Sequence, residues 1–194
     1  MALSLAAVLA GCSTTTTPGS KGVSPLVAAA NEEAAATMRI DNLFAAEGTT
    51  QQTELPTGNA TYEGLVHGDT GGGSGPDLEY YADLTLEVDF DTDGITGTVD
   101  NVRTDLGGFI TPSGSAPVTG SVSMAPGDAE LSFAATGTLT GVDRTATYDL
   151  NADGDFIGDT AQAARGTHTT DFIWTAGPDT GDTSWSDGDW LAEQ

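Results

Sequence analysis

The chain has 194 residues, the length of one ordinary domain, and 29 acidic against five basic residues give it a formal net charge of −24. Nucleic acid is excluded as a partner, because binding it requires clustered lysine and arginine side chains that neutralise phosphates. The single cysteine excludes an intramolecular disulfide. The 26 glycines and the frequent threonines favour an all-β protein with many turns.

The N-terminus has the pattern of a lipoprotein signal. An apolar run over residues 3–10 ends in Leu9-Ala10-Gly11-Cys12, which resembles a bacterial lipobox, where small residues precede the cleaved bond and the cysteine thiol accepts lipid. The run is too short to span a membrane. We therefore predict a signal peptide over 1–11, acylation (palmitate) of Cys12, and a flexible polar tether over 12–30. The alternative is an ordinary apolar N-terminus with a buried cysteine, since no positively charged segment precedes the run.

One helix is predicted over residues 31–48. Asn31 is a suitable N-cap, Glu32 and Glu33 suit the positive end of the helix dipole, and Gly48 can end the helix. Three larger apolar side chains are expected to cover one end of the folded domain: Met38, Leu43 and Phe44.

The first clear strands lie in the middle of the chain. Segment 83–91 alternates polar and apolar residues, which places Leu84, Leu86, Val88 and Phe90 on one face of a half-buried strand. A two-residue turn at Asp93-Gly94, with Thr92 opposite Ile95, would lead into a second alternating strand. That register keeps Phe90, Ile95 and Val99 on one face.

Further strands follow the same pattern, so the sequence predicts an eight-stranded antiparallel β-barrel over residues 55–176, with a turn at 151–154 and an acidic C-terminal tail over 177–194. Acidic and threonine side chains occupy the outward positions, which favours an apolar interior over a membrane-spanning barrel. Large apolar residues on nearly every strand predict a packed interior and binding through loops or the outer wall. The other residues assigned to the apolar faces of the predicted strands are Tyr62, Val66, Val118, Val122, Met124, Leu131, Phe133, Leu139, Tyr148, Leu150, Phe156, Phe172 and Trp174.

Several segments resemble the barrel domain of the transferrin-binding protein B family of surface lipoproteins. Residues 55–64 look like its entry strand, and residues 88–101 look like its second and third strands. Residues 137–141 resemble a later strand, and Gly154-Asp155-Phe156-Ile157-Gly158 with Ala161 and Gly166 resembles the closing segment. The resemblance implies an eight-stranded barrel on the outer surface of a Gram-negative cell, and several relatives reach the surface through a dedicated outer-membrane translocator. Its relatives bind host iron-carrier proteins, complement regulators or haem. This chain has room for one barrel and none of the family's paired lobes.

Two acidic patterns suggest chemistry but have simpler interpretations. Residues 89–100 imitate a calcium loop, yet such loops join helices and this one joins strands, so an acidic hairpin is favoured; Asn151–Asp155 has the same status. The triplets beginning at Asp69 and Asp179 resemble an aspartic protease pair but lie in glycine-rich loops. The run 71–76 lacks the lysine and helix of a phosphate-binding loop and is expected to be a mobile connection.

The two histidines and the tail tryptophans complete the candidates. His67 and His168 would ligate haem or a metal if they met in space, but two isolated histidines are more often incidental, so no metal site is predicted. Trp185 and Trp190 are expected to dock on the barrel, with an exposed contact patch as the alternative.

Taken together, the sequence predicts a surface lipoprotein of the Gram-negative outer membrane, held by lipid on Cys12 and acting as a monomeric binding module. It would capture a protein or small solute, with iron or haem acquisition among the candidates. We expect no enzyme activity and no cofactor, and no ligand-binding residue is assigned. The alternative is a structural or protective envelope lipoprotein without a specific ligand, whose acidic surface is its main property.

Overall fold

The computed structural model describes residues 23–123 and 127–194. Each strand pairs antiparallel with the next along the chain, and the last strand pairs with the first to close a barrel. This confirms the predicted fold class, an all-β eight-stranded antiparallel barrel preceded by one helix. The elements are α1 (Pro25–Glu47), β1 (Asn59–Gly73), β2 (Glu79–Asp89), β3 (Gly94–Thr104), β4 (Ala116–Ser123), β5 (Glu130–Thr140), β6 (Thr145–Ile157), β7 (Ala163–Ala176) and β8 (Thr183–Glu193).

Apolar side chains fill the interior of the barrel, as the alternation predicts. Large buried residues come from strands on all sides, among them Tyr62, Leu86, Phe172 and Trp174. An interior cavity lined by Val66 and neighbouring side chains measures about 10 Å³, at the lower limit for one water molecule. The inside of the barrel is therefore a packed core.

The β2–β3 connection is longer than predicted. Asp89 pairs with Gly94, so four residues, 90–93, form the connection, and the predicted pairing of Thr92 with Ile95 is wrong. The Asp89 carboxylate accepts hydrogen bonds from the backbone N–H groups of residues 91 and 92, at 3.0 and 3.2 Å. This side-chain-to-backbone bonding starts the turn earlier than Asp93. Phe90, Ile95 and Val99 nevertheless share the buried face.

The predicted turn at residues 151–154 and the acidic tail at 177–194 are both wrong. β6 runs without a break through Gly154, and residues 183–193 form β8, which closes the barrel between β7 and β1. A Cβ atom on Gly154 would lie 2.5 Å from Cζ2 of Trp190. Gly154 is therefore a strand residue whose missing side chain leaves space for the indole of β8. The predicted count of eight strands was right only because β6 was counted twice and β8 was missed.

Helix α1 begins earlier and packs elsewhere than predicted. Ser24 caps it through a 3.4 Å hydrogen bond from the N–H of Val27, and Pro25 is its first residue, a position where the missing proline N–H costs nothing. Asn31 is therefore inside the helix, which begins within the segment predicted as tether. Gly48 ends it as predicted, donating its N–H to the carbonyl of Phe44 at 2.8 Å.

The helix lies against the outer wall of the barrel and does not cover an end. Ala29, Ala36 and Ile40 are its buried residues, and the last two pack on outward side chains of β6, β7 and β8, namely Ile157, Ala163 and Leu191. Of the three residues predicted to cover an end, Leu43 is partly buried in this contact, whereas Met38 and Phe44 are exposed. Because alanine side chains are small, the side of the helix that bears Ala29 and Ala36 can approach the sheet closely, and this side is the one that packs on the wall.

Several predictions concern residues outside the described ranges. These are the signal peptide at 1–11, the acylated Cys12, the tether from 12 to 22, and the burial of Met124. Within the described ranges, no helix combines the length and the apolar character that crossing a bilayer requires.

Candidate functional site

A group of polar side chains surrounds His67 on the outer wall, beneath the first half of helix α1. His67, Asp69, Glu79, Tyr81 and Glu33 form it, and we call it the His67 cluster. The first two residues alternate along β1 and therefore share a face. Glu79 stands opposite Asp69 on β2, and Tyr81 stands opposite His67. The ligand atoms of His67, Asp69 and Glu79 all lie within 4.8 Å of one another, so the hairpin brings an imidazole and two carboxylates to one point.

The imidazole of His67 is held on two sides. Its Nδ1 lies 3.1 Å from Oε1 of Glu33 on the helix. The ring also stacks on Tyr81, with 4.2 Å between centroids and 1° between the planes. Burial, followed by the charges of Glu33 and Glu79, raises the pKa of the Tyr81 hydroxyl above its usual value. Both contacts orient the second ring nitrogen, Nε2, toward Glu79, whose Oε1 lies 3.7 Å away.

The cluster belongs to a surface on which carboxylates face one another across strands. Six acidic pairs stand directly opposite in neighbouring strands of the described residues, an arrangement that destabilises a sheet. Burial and the nearby charges of Glu130 and Asp128 raise the pKa of Asp155 in one of these pairs. The pairs are Asp69–Glu79, Asp69–Asp187, Glu63–Glu193, Asp83–Asp100, Glu130–Asp155 and Asp149–Asp171.

Each of the four described arginines is already bound to carboxylates. Arg39 bonds Glu193 and Arg103 bonds Asp83. Arg165 bonds Asp41 at 2.6 Å, and Arg144 bonds Asp179 at 2.7 Å. None of these arginines forms an ion pair with Glu79, Asp69 or Asp187. Among the described residues, the basic side chain beside this row is His67.

Two grooves run beside helix α1 where it crosses the barrel wall. One has a volume of about 1030 Å³ and is lined by Arg39, Glu63 and Asp83 among other residues. The other has a volume of about 370 Å³ and is lined by Glu33, Asp189 and Leu191 among others. Open space for a ligand, lined by both charged and apolar side chains, is therefore found outside the barrel, on both sides of the helix.

His168 lies behind the cluster but faces the barrel interior. Its Nε2 donates to the backbone carbonyl of His67 at 2.9 Å, and its Nδ1 lies 3.1 Å from the hydroxyl of Thr170. The Tyr80 hydroxyl donates to Thr170 at 2.9 Å and lies 3.1 Å from the Ser186 hydroxyl. This buried chain of hydrogen bonds satisfies a neutral imidazole, and burial lowers the pKa of His168. Burial likewise raises the pKa of Tyr80 to about 12.

The two histidines thus meet in space without sharing a site. The backbone of His67 receives the hydrogen bond of His168, while the two side chains point to opposite faces of the wall. A Cβ atom on Gly188 would lie 2.0 Å from the His67 carbonyl oxygen and 2.6 Å from His168 Nε2. Glycine at this position therefore permits the contact between the two strands.

The remaining sequence candidates are structural. The calcium-like segment is the β2–β3 hairpin, and hydrogen bonds from Thr92 and Asp91 lower the pKa of Asp89. Of the protease-like pair, Asp179 lies in the β7–β8 connection and accepts a hydrogen bond from Arg144. Asp69 belongs to the His67 cluster.

The glycine-rich run and the two tail tryptophans have separate outcomes. Residues 71–73 belong to β1, so the connection predicted over 71–76 begins at residue 74. Trp190 is buried in the barrel, but Trp185 is 47% exposed on the outer wall.

The sequence analysis missed the His67 cluster. The available signal was the alternation His67-x-Asp69 followed by a short turn and Glu79-x-Tyr81, which a hairpin would bring face to face. Glu33 could not be associated with them, because the position of the helix depends on packing against distant strands.

No family model matches this chain, and no curated protein matches it. The resemblance to the transferrin-binding protein B family therefore stays a prediction.

Proposed function

We propose that this chain is a lipid-anchored binding module on the surface of the Gram-negative outer membrane, which captures a protein or small solute on the outer wall of its barrel. The observation that carries the proposal is the filled interior, where a cavity of about 10 Å³ accommodates no solute. A ligand of this barrel must bind outside it. The His67 cluster and the grooves beside α1 provide polar groups and space there.

The anchor and the domain have separate roles in this proposal. Acylated Cys12 would hold the chain at the membrane, and the residues that follow it would lift the barrel away from the surface. The acidic outer wall would be repelled by anionic lipid, so it would stay free for a ligand. A ligand with cationic groups is favoured for the same reason.

The alternative is a structural or protective envelope lipoprotein without a specific ligand. The observation that favours it is the net charge of −24, which keeps a protein soluble and hydrated without any partner. The two proposals differ in whether defined positions on the outer wall matter for binding.

Retention experiments with matched variants separate the two proposals. The full chain with Cys12→Ser is immobilised and exposed to the growth medium of the bacterium that produces it. A component retained by this chain should be lost from the Glu33→Gln/Glu79→Gln variant. It should be kept by Asp149→Asn/Asp171→Asn, which removes equal charge from the outer wall elsewhere. Equal loss from both variants, or no retained component, would favour the purely acidic alternative.

Protease treatment of intact cells tests the proposed location. The chain should be cleaved from the surface without lysis, and Cys12→Ser should remove it from the membrane fraction. Protection of the chain until the outer membrane is opened would contradict surface display.

A further inference from the structure

We propose that the His67 cluster binds one divalent transition-metal cation, best matched by Zn²⁺, through Nε2 of His67 and one carboxylate oxygen each from Asp69 and Glu79. The inference rests on the proposed function, because it names the class of ligand that the outer wall takes. It assigns the metal to the outer wall, separate from the hydrogen-bonded network around His168.

The positions of the three ligand atoms fit one small cation. They lie within 4.8 Å of one another, and His67 Nε2 is 3.7 Å from Oε1 of Glu79. Ligands around tetrahedral zinc are about 3.4 Å apart when each bond is about 2.0–2.1 Å. Some of the separations exceed this ligand spacing, and rotation of the exposed Asp69 side chain to another rotamer would bring its carboxylate closer to the other two ligands.

The hydrogen bond from Glu33 prepares the imidazole for a metal. In the tautomer whose Nδ1–H donates to Glu33, 3.1 Å away, the lone pair is on Nε2. Metal-binding histidines commonly donate the other ring N–H to a carboxylate in this way, which fixes the tautomer and raises the basicity of the ligand. Tyr81, stacked on the ring, limits its rotation.

His67 Nε2 has no solvent access and no hydrogen-bond partner among the described residues. With the proton on Nδ1, this atom is an acceptor, and the nearby carboxylate oxygens of Glu79 and Asp69 are acceptors too. Three acceptors facing one another leave a polar atom unsatisfied. Glu79 Oε1 already accepts a hydrogen bond from the Tyr81 hydroxyl at 3.3 Å, so the unsatisfied atom is His67 Nε2. A cation held between the three groups would satisfy it.

The charge around the site favours the same occupant. Asp187 stands opposite Asp69 and Asp189 stands opposite His67 on β8, and no described arginine bonds either residue. An imidazole with two carboxylates suits zinc and its neighbours, whereas Ca²⁺ and Mg²⁺ prefer oxygen ligands throughout. Three protein ligands leave a fourth position for water or for a donor group of a captured solute.

Competition with a chromophoric zinc chelator tests the site on the full chain carrying Cys12→Ser, which removes the thiol as a ligand. We expect one Zn²⁺ per chain. His67→Gln should lower the affinity by about 100-fold or more, and Glu33→Gln by about 10- to 100-fold because it removes only the orienting carboxylate. Asp171→Asn, a control with equal charge loss on the same wall, should change the affinity less than about threefold. Co²⁺ should give a visible absorption band that His67→Gln abolishes.

Two outcomes would overturn the inference. One is zinc affinity that is equal in His67→Gln and the unsubstituted chain, and the other is equal competition by Ca²⁺, since either indicates general attraction to carboxylates. Circular dichroism of each variant verifies that the barrel is intact. Absence of zinc binding with retention of a captured component overturns this inference alone. Zinc binding by a chain that stays protected from protease on intact cells overturns the proposed surface function alone.

Discussion

Trp185 and Trp190 stand five residues apart on β8 and have opposite surroundings. The indole of Trp190 is buried, packs 5.1 Å from the ring of Phe133, and donates its N–H to the carbonyl of Asp153 at 3.2 Å. Trp185 points outward from the same strand. The odd separation of the two residues predicts opposite faces once a strand is recognised. Side-chain alternation therefore decides which tryptophan stabilises the barrel.

Replacement of Trp190 by alanine should destabilise the barrel severely. The change removes a buried indole beside Gly154, where no side chain can fill the space, and should cost about 3–5 kcal/mol of unfolding free energy. Urea unfolding followed by circular dichroism measures the loss. Trp185→Ala serves as the control and should cost less than about 1 kcal/mol. Similar losses for the two variants would contradict the assignment of faces.

The buried His168 should make stability depend on pH. Burial lowers its folded-state pKa below the unfolded value of about 6.5. As the pH falls, the unfolded chain therefore binds this proton before the folded chain does. The contribution of neutral His168 to the free energy of unfolding is complete above pH 6.5 and is lost as the pH falls from there toward the folded-state pKa. In urea unfolding between pH 7 and pH 5, the unsubstituted chain should lose more stability than His168→Gln. Parallel losses in both chains would show that His168 is not buried as a neutral group.

Strand β8 and helix α1 show where sequence patterns determine an element and where packing does. Inward positions of β8 hold Ser184, Ser186 and Gly188 before Trp190, so the usual apolar alternation is absent and the segment resembled a tail. The strand forms because both neighbouring edges, β1 and β7, need backbone partners. The middle strands, with leucine, valine and phenylalanine at alternate positions, were predictable from local sequence. The location of α1 was not, because its partners Ile157 and Leu191 are distant in the chain.

Truncation of Ile40 tests whether α1 is docked on the wall. Its side chain is 1% exposed and packs on Leu191 and Ile157, so Ile40→Ala should cost about 2–5 kcal/mol. Met38→Ala, in the same helix but 64% exposed, should be within about 0.5 kcal/mol of the unsubstituted chain. The measurement is the urea midpoint with its slope. A loss at Met38 that equals the loss at Ile40 would indicate a different helix face.

Across the whole molecule, an apolar interior is combined with a wall of closely spaced carboxylates. Composition and alternation predicted both parts, because apolar residues at every second position must face inward in a charged barrel. The His67 cluster was not predicted, since it depends on a register of two strands and on a helix that crosses them. Charge repulsion on the wall opposes folding, and the four described arginines offset only part of it.

Two carboxylates that face each other across strands without a bonded arginine repel one another. Removal of one of them should therefore stabilise the protein in dilute salt. Asp149 stands opposite Asp171 without a bonded arginine among the described residues. Asp149→Asn should therefore add about 0.2–1 kcal/mol at 10 mM NaCl. Near 0.5 M NaCl the gain should fall toward zero, because salt screens exposed charges. Urea is the suitable denaturant, since guanidinium chloride is itself a salt. A gain that does not depend on salt would contradict the electrostatic explanation.

We propose that any ligand binds on the outer wall of this barrel, because side chains fill its interior. Imidazole nitrogen NMR during a zinc titration examines both faces at once, because His67 lies outside and His168 inside. We predict a large shift of the His67 Nε2 resonance that saturates at one Zn²⁺ per chain, with the His168 resonances unchanged. A shift at His168, or no change at His67, would contradict the account.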